Sequence, residues 1–135
     1  MPPVVTAELL ALGVALILHI ALMCLFALRA NLEIGPGYTL GPRDGAPKHP
    51  LSVVTARLQR AVNNSFESLI LFAPAVLMNV VSGQSGPITT ALCGIFLVAR
   101  IAYIPAYAFG LTPWRSLVWA IGLFATLAIV IASLI

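Results

Sequence analysis

The chain has 135 residues, 61% of them hydrophobic and only 8% charged, with a formal net charge of +3. That composition excludes a disordered segment and argues against a soluble domain. Its seven Lys and Arg form no long basic run and no nucleic-acid motif, so a nucleic-acid partner is excluded too. Cys24 and Cys93 lie in apolar runs and are too few for a disulfide framework or a zinc site.

Four stretches are long and apolar enough to cross a bilayer, which takes about 20 residues per helix. The first runs from about 4 to 28. It has no basic n-region, and its apolar run from Leu9 to Leu28 is too long for a signal peptide. Glu8, near its outer end, reads as solvated, and His19, with no second His nearby, as an interior histidine rather than a metal ligand. The connector from Ala30 to Pro50 packs five Gly or Pro between Gly35 and Pro42 and reads as a turn-rich loop. The second span covers about 52–81. The third covers about 88–109, with Pro87 suited to its first turn and Pro105 expected to kink it. The fourth covers about 113–135, with Thr112 as a candidate N-cap and Trp114 and Trp119 as interfacial anchors. The expectation is an all-α integral membrane four-helix bundle forming one domain, residues 1–135.

Arg29, Arg43, Lys48, Arg57, Arg60, Arg100 and Arg115 all fall on one side of these spans, and the loop between spans two and three carries no charge. By the positive-inside rule, both termini lie outside and the first and third loops face the cytoplasm.

The second span places Arg57, Arg60, Asn64 and Glu67 at intervals of three, four and three, one face of a helix. The third places Arg100, Tyr103 and Tyr107 on one face at intervals of three and four. At ~1.5 Å per residue, Glu67 lies about 21 Å and Arg100 about 18 Å from the outer edge. The matched depths make Arg100 the expected partner of Glu67. Such pairs can also serve packing alone. One carboxylate cannot neutralise four arginines, however, and the surplus positive charge points to an anionic ligand. The absence of an internal repeat speaks against a transporter.

Arg60-Ala-Val-Asn-Asn64-Ser-Phe-Glu67 resembles the second-helix signature of the MAPEG superfamily, the membrane-associated proteins in eicosanoid and glutathione metabolism. Arg100-x-x-Tyr103-x-x-x-Tyr107 followed by Arg115-Ser116 resembles the end of that family's third helix and the start of its fourth. The likeness covers essentially the whole chain. It implies a homotrimer in which glutathione, as co-substrate, binds between subunits on the cytoplasmic side. Arg60, Asn64, Glu67, Arg100, Tyr103 and Tyr107 then look like glutathione contacts, and Arg29 like a further basic residue near the site. Arg115 looks like the catalytic arginine that stabilises the thiolate. At Asn63, Ser68 and Tyr103 the chain differs from eukaryotic members. Its loops look closer to bacterial members, which implies a bacterial inner membrane. The implied function is a glutathione-dependent transferase or peroxidase acting on a lipophilic electrophile that arrives from the bilayer. The alternative is a non-catalytic subunit of the same fold that stabilises a larger complex.

Overall fold

The computed structural model describes residues 4–135. Helix α1 spans Ala7–Ile34, α2 Pro36–Thr39, α3 Val53–Val81, α4 Pro87–Ala108 and α5 Trp114–Leu134. All but α2 are long and apolar enough to cross a membrane, and the chain is a four-helix membrane bundle. In the bundle α4 packs chiefly on α5, α1 on α3, and α3 also on α5.

The helix ends follow from local chemistry. Thr6 Oγ1 caps α1 by accepting from Leu9 N at 3.2 Å. The helix runs past Leu28 to Ile34, because hydropathy marks the membrane boundary while Arg29 to Glu33 remain acceptable helix residues. Gly35, at φ 99°, ends it. The four-residue α2 lies in what the sequence presents as plain loop. Ser52 caps α3, its Oγ accepting from Thr55 N at 3.2 Å. Pro87 occupies the first turn of α4, as expected. Pro105 lies in the last turn of α4, which stays helical to Ala108.

Thr112 does not cap the last helix. Pro113 holds the N-cap position without a side-chain bond. The first donors of the helix are met by backbone instead: Arg115 N reaches Leu111 O at 3.0 Å and Ser116 N reaches Pro113 O at 3.1 Å.

Two apolar clusters fill the bundle. The larger includes Leu12, Phe72, Val76, Phe96 and Ile129. Phe72 and Phe96 stack within it, centroids 3.8 Å apart and rings 2° from parallel. The smaller, toward the charged end, includes Leu22, Leu58, Ala61 and Tyr103.

Polar groups close the opposite end. Glu8 is not solvated but only 1% exposed. Its Oε1 accepts from Gly86 N at 3.1 Å, Thr89 Oγ1 at 2.6 Å and Thr90 Oγ1 at 3.2 Å. The carboxylate thus sits on the N-terminus of α4, where unpaired N–H groups and the helix dipole favour negative charge. Asn79, fully buried, donates to Gln84 O and accepts from Ser85 Oγ. These bonds tie the α3–α4 turn.

Candidate functional site

Antiparallel packing brings the end of α1, the start of α3, the end of α4 and the start of α5 together, and with them most of the arginines. Tyr107 is the hub. Its hydroxyl accepts from Arg60 Nε at 3.1 Å. The guanidinium of Arg115 lies over its ring at 4.8 Å and that of Arg60 at 5.8 Å. Tyr103 is tilted 54° against it, centroids 5.5 Å apart. Arg100 lies over the Tyr103 ring at 4.4 Å. Residues from α3, α4 and α5 therefore form one cation–aromatic cluster.

Arg100 is buried at 5% exposure. Its Nη1 donates to Asn64 Oδ1 at 3.0 Å, while Nη2 has no hydrogen-bond partner among the described residues. The expected Arg100–Glu67 pair is therefore not formed within the subunit. Asn64 faces the bundle interior and takes the guanidinium, whereas Glu67, three residues on, is exposed on the flank of α3. Among the described residues the one ion pair within 4.0 Å joins Arg29 and Glu33, so Glu67 has no cationic partner. Two hollows flank it. One, of about 450 Å³, is lined by His19, Met23, Asn63 and Phe66; the other, of about 90 Å³, by Ser68, Phe96 and Trp119. A bare carboxylate at this depth is costly to leave against lipid.

Arg29 and Arg57 are held by the fold. Arg29 Nε donates to Thr55 Oγ1 at 3.0 Å. Glu33 accepts from Ser52 N at 2.7 Å, from Ser52 Oγ at 3.2 Å and from Thr55 Oγ1. This clasp joins α1 to α3 and occupies Arg29. Arg57 Nη1 reaches Ala108 O at 3.4 Å. Its guanidinium packs on Gly110, where an added Cβ would lie 2.9 Å from Cζ. His19 Nδ1 lies 3.0 Å from Ser65 Oγ, and its ring centroid 5.8 Å from that of Phe66. Sequence reasoning missed the His19–Ser65 pair and the Arg57–Gly110 contact, each of which joins residues far apart in the chain.

The MAPEG family model matches residues 6–135. The chain belongs to the MAPEG family. It is therefore a membrane protein of the family that works in eicosanoid and glutathione metabolism. No curated protein matches it significantly. In this MAPEG chain the signature residues divide between two environments. Arg60, Asn64, Arg100, Tyr103, Tyr107 and Arg115 are linked by hydrogen bonds and ring contacts, while Glu67 stands apart from them on the outer flank of α3.

Proposed function

We propose that the protein is a glutathione-dependent membrane transferase or peroxidase acting on a lipophilic electrophile. The observation that carries this reading is a surplus of guanidinium groups at one end of the bundle beside Glu67, a carboxylate on the flank of α3 with no ion-pair partner among the described residues. Glutathione matches that distribution, with two carboxylates, one ammonium and one thiol. Arg60 and Arg100 suit its carboxylates through charge-assisted hydrogen bonds, and Nη2 of Arg100 has a donor to spare. Glu67 suits the ammonium. Arg115, held over the Tyr107 ring, suits the thiol, whose pKa of ~8.5 when free leaves it mostly protonated at neutral pH. A neighbouring guanidinium favours the thiolate. In transfer, the thiolate attacks the electrophilic carbon and the leaving group departs with its electron pair. In peroxidation, two glutathione thiols reduce a hydroperoxide to an alcohol and water, leaving the disulfide.

The exposed Glu67 and its flanking hollows favour a second subunit on that face, and we take the assembly to be a homotrimer with the site between subunits. The charge distribution favours a cytoplasmic site with both termini outside, and from the likeness of the loops to bacterial members we take the membrane to be a bacterial inner membrane. The test is glutathione titration into the purified protein by calorimetry, followed by turnover with 1-chloro-2,4-dinitrobenzene and with a fatty-acid hydroperoxide. Saturable binding with either turnover supports the proposal. Binding without turnover, or no binding at millimolar glutathione, overturns the enzyme reading and leaves the non-catalytic member of the fold.

A further inference from the structure

A cavity of about 580 Å³ lies under the α1–α3 connector, at the charged end of the bundle. Its size falls within the ~300–1,000 Å³ typical of small-molecule sites. Phe26 and Ile34 of α1 and Leu40 and Leu51 of the connector supply an apolar wall. Arg43 is the charged residue of the lining, and no carboxylate lines it. Arg43 has φ 58°, a left-handed conformation that a non-glycine residue rarely adopts. The structure holds it there: Nε and Nη2 donate to Thr39 O at 2.9 and 2.6 Å. Thr39 is itself anchored, donating to Asn31 Oδ1 and to Gly35 O. The connector is thus a strap pinned to the end of α1, and the pinning leaves Nη1 of Arg43 unengaged. Among the described residues Arg43 has no ion-pair partner, since the one pair within 4.0 Å is Arg29–Glu33.

A single cation, positioned at a backbone cost at the rim of an apolar hollow, matches a molecule with one anionic head and one hydrocarbon chain. We propose that this cavity binds an anionic amphiphile, its carboxylate or phosphate head on Arg43 and its chain against Phe26, Ile34, Leu40 and Leu51. None of these residues belongs to the Tyr107 cluster, so the inference is independent of the glutathione reading.

The test is native mass spectrometry of the purified protein released from a neutral maltoside detergent. The probes are stearate, octadecanol and 1-stearoyl-lysophosphatidylglycerol. Wild type should take up one stearate per subunit and bind octadecanol at least tenfold more weakly. Arg43→Gln should lower stearate binding at least tenfold, to the octadecanol level. Leu51→Trp, which fills the hollow, should abolish binding of both. If that variant does not fold, Arg43→Gln alone decides. Displacement of stearate by the lysophospholipid identifies a membrane lipid as the source of the head group, and failure to displace identifies a free fatty acid; either outcome supports the site. Equal stearate binding by wild type and Arg43→Gln, or equal binding of stearate and octadecanol, overturns it.

Discussion

Asn64 accepts a hydrogen bond from Arg100 at 3.0 Å, joining α3 to α4 through a guanidinium that is almost wholly buried. Asn64→Ala removes that one side-chain hydrogen bond from Arg100. Hydrogen bonds to charged groups contribute about 1.5–3 kcal/mol, and the variant should lose stability of that order in detergent. Asn64→Asp, which keeps an acceptor oxygen, should retain it. Thermal unfolding followed by circular dichroism reads the difference. An Asn64→Ala protein as stable as wild type would mean that Arg100 finds water or another acceptor.

Among the described residues Glu67 has no ion-pair partner, so its loss should spare the fold of the subunit and show in ligand binding. Glu67→Gln should weaken glutathione by about 1.5–3 kcal/mol, the range for a hydrogen bond to a charged group. Des-amino glutathione should bind wild type poorly and lose little more on Glu67→Gln. Calorimetric titration of both ligands into both proteins gives the four affinities. Equal losses for the two ligands would remove the ammonium from the account of Glu67.

Arg60 and Arg115 meet the same tyrosine in different ways, one at the hydroxyl and one at the ring face. Arg115→Ala should raise the pKa of bound glutathione thiol and cut turnover while affinity stays within a few fold. Arg60→Ala should mainly weaken binding. Tyr107→Phe should behave as a milder Arg60→Ala, since it removes the hydroxyl and keeps the ring. Thiolate absorbance against pH at saturating glutathione checks all three. A wild-type thiol that titrates near its free value leaves no role for Arg115 in activation.

At the other end, Glu8 gathers three donors from the start of α4. Glu8→Ala removes the charged acceptor of these donors, although Gly86 N–H and Thr89 Oγ1 still bond within the turn at 3.1 Å and Thr90 is exposed. Hydrogen bonds to a charged group contribute about 1.5–3 kcal/mol, so a drop in unfolding temperature is expected. Glu8→Gln keeps one carbonyl acceptor and should recover much of it. A Glu8→Ala melt that matches wild type would show that water replaces the carboxylate there.

The assembly and orientation have their own checks. Native mass spectrometry in mild detergent should give a trimer, and monomer at every concentration would refute the interfacial site. A C-terminal reporter active only in the cytoplasm would overturn the orientation.

The spans were legible because apolar runs separated by Gly, Pro and Ser leave few alternatives, and the Arg60–Tyr107 cluster because helical spacing sets its faces. What stayed hidden depended on partners distant in the chain. Glu8 looks solvated until α4, 78 residues on, delivers its N-terminus to it. Arg100 and Glu67 match in depth, but depth says nothing of rotation about the helix axis, and rotation hands the guanidinium to Asn64. The N-cap expected from Thr112 failed because the turn after Gly110 meets the first donors of α5 with backbone carbonyls.

The clasp of Glu33 on Ser52 and Thr55 makes the connector a hoop with both feet fastened together. Closing a loop costs only weakly more as it lengthens, and here the ends are already joined by bonds that do not involve the hoop's crown. Its length is thereby decoupled from the packing of the four spans. An epitope inserted between Gly45 and Ala46 should leave the bundle and its arginine–tyrosine end intact while spoiling the hollow beneath the strap, so the chain can be remodelled at one site without touching the other.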